Sequence, residues 1–186
     1  EIRNRRHDVP YCAASLMLAG NPMTDQPKPT AALPKDAEPA TRRANAAVLQ
    51  RLPFDDRRDY AEARRGFIAA LADGTVKNAA GTVLWNLHEY DFLAAAEAPP
   101  TVNPSLWRMA QLNLVSGLFK VVDRVYQIRG FDIANMTIVE GDSGLIIIDP
   151  LTTCEVARAG LDLFCAHRPK KPVVAVIYTH SHMDHF

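Results

Sequence analysis

Little in this chain is present in excess, and its shortages narrow the field first. Its 186 residues hold three cysteines, Cys12, Cys154 and Cys165, an odd number too small for a disulfide scaffold. Cys154 and Cys165 fall eleven residues apart on one predicted helix, about 16 Å at the helical rise and out of disulfide reach. Neither sign of charge prevails, because 21 Lys and Arg face 21 Asp and Glu. A chain of zero net charge has no whole-molecule field for nucleic acid or an anionic membrane, so no nucleic-acid partner is expected. No run reaches the roughly 18–20 apolar residues of a membrane span, so none is expected either. What remains, 48% apolar and 23% charged residues, is the composition of a globular chain rather than a disordered one.

Proline is unevenly spread. Six of the thirteen lie in the first 40 residues (Pro10, Pro22, Pro27, Pro29, Pro34 and Pro39), and without hydrophobic periodicity residues 1–40 read as an extended Pro-rich leader. Within it Arg3, Arg5 and Arg6 precede the apolar stretch Tyr11–Gly20. That order of basic, apolar and small residues resembles a secretory signal, and the arginine pair fits twin-arginine export. The expected location is therefore periplasmic or secreted, with a mobile tail on a cytoplasmic protein as the alternative. The chain starts at Glu1 rather than Met and stops at Phe186 directly after a histidine cluster, so it reads as a fragment of a longer protein.

From residue 41 to 117 the texture is helical. ATRRANAAVLQRL predicts one short Ala-rich helix. Tyr60, Phe67, Ile68 and Leu71 recur at helical spacing and predict a second over 56–72, stopped by Gly74. Arg57, Arg58, Arg64 and Arg65 lie on its other faces, interleaved with Asp59 and Glu62, as a solvated helix face would be. Asn103-Pro104 opens a third helix, with the N-cap followed by proline at the first helical position. From 118 onward the pattern is β. Residues 136–140 and 145–149 predict an antiparallel hairpin around Gly141–Gly144, the second arm reading as a strand buried on both faces. Thr152-x-x-Glu155 matches a capping box that opens a helix over 153–167. PVVAVIY at 172–178 is another apolar strand, and strand, helix and strand form a right-handed βαβ unit with parallel strands. The fold class is α/β (α+β).

Ligand sites in such sheets gather beyond the carboxyl ends of the strands. There the sequence reads Thr179-His180-Ser181-His182-Met183-Asp184-His185-Phe186, the pattern H-x-H-x-D-H. In an extended segment His180, His182 and Asp184 share one side, while His185 points elsewhere and serves a second ion. Imidazole nitrogen and carboxylate oxygen suit zinc and related divalent ions. Two such ions about 3.5–4 Å apart supply hydroxide at neutral pH and neutralise an anionic substrate.

THSHMDHF after an apolar strand resembles the metal signature of the metallo-β-lactamase superfamily. Its flanks are similar to the N-terminal part of type III alkylsulfatases over residues 40–186. The similar segments are Leu84–Leu87, Thr101–Arg108, Gly117–Val121, Arg129–Asp132 and Asn135–Gly141. The resemblance implies a partial metallo-β-lactamase-like αββα sandwich, with residues 118–186 as the first part of a catalytic domain preceded by the helical segment 41–117. It implies two Zn2+ ions, His180 and His182 on one and Asp184 and His185 on the other. It also implies hydrolysis of alkyl sulfates such as dodecyl sulfate to alcohol and inorganic sulfate by metal-bound hydroxide, in a full-length homodimer. Two acidic ligands and a further histidine come from downstream in that family, so no catalytic residue beyond the metal ligands is expected here. The alternatives are another binuclear hydrolase of the same fold (lactonase, thioesterase or nuclease) or a non-catalytic metal-binding remnant.

Other residues carry weaker readings. Asp149 ends the strand beside the motif, as a plain Asp-Pro turn or as a partner orienting a ligand histidine. Arg129 and Asp132 are placed to approach the site from a loop. Trp85, Trp107 and Phe131 read as core, His88 lies remote from the motif, and His167 sits at a helix C-terminus where it complements the dipole. The 186 residues alone are expected to be inactive and to bind zinc weakly. Isothermal titration checks this, and tight binding of two zinc ions would contradict it.

Overall fold

The computed structural model describes residues 35–186, so residues 1–34 of the leader expected over 1–40, with its export signal, lie outside the described residues, and the first helix already begins at Pro39 within the leader's last two positions. Helix α1 (Pro39–Arg51) opens on a proline at its first turn, where the missing N–H costs nothing. Helix α2 is short (Arg58–Ala63). It is followed by β1 (Phe67–Ala69), the ribbon β2 (Thr75–Lys77) and β3 (Val83–Asn86), and a 3-10 helix at Leu87–Ala94. Helix α3 (Pro104–Asn113) starts as expected, with the Asn103 side chain accepting from the Ser105 amide at 2.8 Å. Then come β4 (Gly117–Val122), β5 (Val125–Arg129), β6 (Met136–Glu140), β7 (Leu145–Ile148), α4 (Cys154–His167) and β8 (Val173–Ile177). Six strands form one sheet in the order β1-β4-β5-β6-β7-β8, with only β7 and β8 parallel.

Helix α4 covers one face of this sheet. Its inward residues Val156, Gly160 and Phe164 are buried, and the Phe164 ring meets Tyr126 of β5 edge-on at 5.3 Å. A Cβ on Gly160 would lie 2.7 Å from Met136 Cε, so the absent side chain lets the helix approach the sheet. Leu118, Ile128, Ile138, Leu145 and Ile147 complete this core, joined by Val76 of β2. A sheet and one helical layer are the part of the αββα arrangement that this chain builds.

Four local expectations change. The periodic stretch 56–72 is not one helix, because the chain leaves α2 and turns through Gly66 at φ 76° into β1. There Gly66 O accepts from the Lys120 amide at 2.7 Å, and a Cβ at this position would meet Lys120 O at 2.0 Å. Pairing with β4 thus overrides helical spacing, and segment 41–117 is helical only in part. The N-cap of α4 is Thr153, whose hydroxyl accepts from the Val156 amide at 3.2 Å, so the capping box begun at Thr152 is not used. The apolar strands are covered on one face only: Ile146 and Ile148 are half-buried, and Val174 and Val176 are 58% and 40% exposed. Finally, the histidine motif is not extended, as described below.

Glu140 at the end of β6 ties the sheet to the α4–β8 connection. Its carboxylate, 7% exposed, meets Arg168 at 2.9 Å and Lys171 at 3.2 Å. Burial pushes its carboxyl up, but the bonds from Arg168 and Lys171 outweigh burial and hold it below its ordinary value of 4.5. A folded-state value below the unfolded one stabilises above the unfolded value and is lost as pH falls through the folded one. Urea midpoints measured from pH 6 down to pH 2 are expected to fall with acid, and less steeply in Glu140→Gln. An identical acid slope in the variant would contradict this.

Candidate metal centre

The site lies where β7 and β8 end side by side. Their parallel pairing closes with the Asp149 amide donating to Ile177 O at 3.0 Å, so the residues after each strand emerge at the same carboxyl edge. Asp149 takes a left-handed conformation, φ 53°, and Leu151 another, φ 75°. Aspartate tolerates that region, whereas a leucine there costs about 1–2 kcal/mol. Leu151 is 2% exposed, and its burial offsets a cost of that order. The turn aims the Asp149 carboxylate along the edge rather than back into the ladder.

Both oxygens of that carboxylate are used. Oδ1 accepts from the Thr179 amide at 2.8 Å and Oδ2 from the Thr179 hydroxyl at 2.7 Å. Oδ2 also lies 2.9 Å from His185 Nδ1, a charge contact whose line is off the ring N–H direction, leaving that buried nitrogen without a directed hydrogen bond. Asp149 is therefore more than a strand-ending turn, since it touches a motif histidine. Burial pushes its carboxyl up, but the Thr179 amide, His185 and the Thr179 hydroxyl together bring it below its ordinary value.

The motif curls instead of extending. The His185 amide donates to His182 O at 3.0 Å, which folds His185 back onto His180 with ring centroids 4.1 Å apart. His180 and His182 meet edge-on at 4.6 Å, with His180 Nε2 3.0 Å from His182 Nδ1. Asp184 Oδ2 lies 3.2 Å from His185 Nε2. The expectation that His185 points away from the others fails because of this turn.

The hydrogen bonds also select a tautomer. Thr179 has one hydroxyl hydrogen, and the Asp149 carboxylate can only accept it. The 3.0 Å contact of Thr179 Oγ1 with His180 Nδ1 is therefore donated by the imidazole. The His180 proton sits on Nδ1, and the Nε2 lone pair faces His182. Thr179, to which the sequence reading assigned no role, orients the first histidine. The available signal was a hydroxyl residue between a strand end and the first ligand.

The donors fit metal ions in pairs. Two ligands of one tetrahedral zinc at about 2.0–2.1 Å stand about 3.3 Å from each other. The His180–His182 and Asp184–His185 donor separations, 3.0 and 3.2 Å, have that spacing. Among the described residues no group of three or more His, Cys, Asp or Glu surrounds one point. Asp132 lies close enough for its charge to act on His185. Arg129 turns away to Gln127 and the Phe119 ring. His88 binds Asp73 O and faces Asp91, and His167 ends α4. Trp107 and Phe131 are core residues, while Trp85 is half-buried against the core with its Nε1 on Gly130 O.

The edge of the β7–α4–β8 unit thus gathers imidazole and carboxylate donors. Residues 129–186 match the model of the metallo-beta-lactamase superfamily. The chain is 57% identical over 152 residues to an (R)-specific secondary-alkylsulfatase of Pseudomonas sp., covering 82% of this chain and 23% of that protein. It is 49% identical over 175 residues to a linear primary-alkylsulfatase of Pseudomonas sp., covering 94% of this chain and 26% of the relative. The solved structure of the stereoselective inverting sec-alkylsulfatase Pisa1 from Pseudomonas sp. matches with a TM-score of 0.75 and 58% identity, over 82% of this chain and 24% of Pisa1. The chain thus spans about a quarter of the length of the relatives it matches.

The Asp149 carboxylate raises the His185 imidazole above its ordinary 6.5, and Asp184 and Asp132 act in the same direction against the opposing effect of burial. In metal-free protein, histidine NMR titration is expected to place His185 above 6.5. Asp149→Asn should return it toward that value, and an unmoved titration would refute the assignment.

Proposed function

We propose that the protein to which this chain belongs hydrolyses alkyl sulfate esters, adding one water across the ester to release an alcohol, inorganic sulfate and a proton. His180 and His182 would hold one zinc ion and Asp184 and His185 another, each with further ligands from outside the described residues. The observation that carries this reading is the arrangement of two donor pairs at metal-ligand spacing on one sheet edge. The 49–57% identity to alkylsulfatases supports the substrate class. When bound, such ions lower the pKa of water to near neutrality and offset anionic charge.

The chain's own residues prepare that chemistry. Thr179 holds the His180 proton on Nδ1, leaving Nε2 as the ligand atom. The charge of Asp149, 2.9 Å from His185 Nδ1, favours a proton on that nitrogen, while Nε2 lies beside Asp184. Such carboxylate–histidine pairs fix ring orientation and strengthen the ligand. The resemblance to type III alkylsulfatases supports a homodimer of the full-length protein, and the residue order of the leader supports export.

The test is sulfate release by the full-length protein from dodecyl sulfate and from a secondary alkyl sulfate. Turnover of at least one is expected, abolished by chelator and restored by zinc. His182→Ala should lose more than the roughly 10–100-fold typical of removing an outer partner of a ligand. Chelator-resistant turnover would reject the metal assignment, and no sulfate release from either ester would reject the substrate class.

A further inference from the structure

The loop from β7 to α4 has an anchor outside the motif. Asp132, in the β5–β6 connection, accepts from the Thr152 amide through Oδ2 at 2.7 Å. Its other oxygen accepts from the neighbouring Ile133 amide at 2.6 Å. Thr152 closes the stretch that contains both left-handed residues, Asp149 and Leu151, around Pro150. Proline has no N–H, so this stretch has few backbone donors to hold it in place, and Thr152 provides one. At its other end the Asp149 side chain meets Thr179 and His185. Directed contacts therefore run from Asp132 through Thr152 and the turn to the motif.

We propose that Asp132 is a positioning residue of the metal loop: by holding Thr152 it keeps the turn through Asp149, Pro150 and Leu151 on the course that brings the Asp149 carboxylate to Thr179 and His185. A turn-forming aspartate with only a local role would need just its bond to Ile133. The bond across twenty residues has a different consequence, since its loss frees a carboxylate that Asp132 does not itself touch. The consequence for zinc rests on the function proposed above, whereas the coupling of Asp132 to Thr179 exists in metal-free protein, so the two can fail separately.

The experiment compares the full-length protein with Asp132→Ala and Asp132→Asn. Amide hydrogen exchange is read on metal-free samples, and zinc affinity is read by competition with a chromophoric chelator. In Asp132→Ala, exchange in the peptide carrying Thr179 is expected to accelerate about tenfold or more, while the core peptide around Ile138 is unchanged. Asp132→Asn keeps an acceptor for Thr152 and should stay within about threefold of the parent. Zinc affinity should fall about 10–100-fold in Asp132→Ala and recover in Asp132→Asn. Unaltered exchange at Thr179 in the alanine variant, or equal effects of alanine and asparagine, would overturn the proposal. Faster exchange at Thr179 in Asp132→Ala, in a protein whose parent form binds no zinc, would support the coupling and overturn the metal reading alone.

Discussion

One buried carboxylate organises the edge of this sheet. Asp149 stands where the β7–β8 ladder ends, and its two oxygens serve the amide and hydroxyl of Thr179 and the ring of His185. Desolvating an aspartate is costly unless its charge is answered, and here the answering groups all belong to the motif. The same contacts that make the carboxylate tolerable set the starting point of the motif, the tautomer of His180 and the position of His185. Stability and ligand geometry thus share one interaction.

The electrostatics of the edge oppose those of the whole chain. Overall charge is balanced, yet Asp149, Asp184 and Asp132 all act on His185. Such an edge attracts cations and repels a sulfate ester. Under the function proposed above, bound cations would reverse that sign. The raised affinity of His185 for its proton has a matching consequence, because a ligand imidazole must be neutral and the metal must displace that proton.

Much of this was legible in local sequence, where the signals are short and self-contained. Asn103-Pro104 marked a helix start that the Asn103 side chain caps. Branched residues on either side of Gly141–Gly144 marked the β6–β7 hairpin. The length from Leu145 to Ile177 marked a parallel crossover. Local signals failed where a distant strand intervened: Tyr60, Phe67, Ile68 and Leu71 keep helical spacing, yet Phe67 pairs with Phe119. Threonine at 152 and at 153 both suit an N-cap; the hydroxyl of Thr153 accepts from the Val156 amide, while the Thr152 amide is held by Asp132. The paired apolar strands implied two covered faces, but one helix covers one face.

The site divides in the same way. Sequence alone determined which atoms are available to a metal, because imidazole and carboxylate donors at H-x-H-x-D-H spacing are a matter of residue chemistry. It also placed them at a strand's carboxyl end, because hydrophobic pattern sets where a buried strand stops. Only the tertiary structure decided how those atoms face one another. The proton on His180 Nδ1 and the reach of Asp149 to Thr179 and His185 depend on contacts between residues about thirty positions apart. Such contacts exist only once β7 and β8 are paired, and no local propensity encodes them.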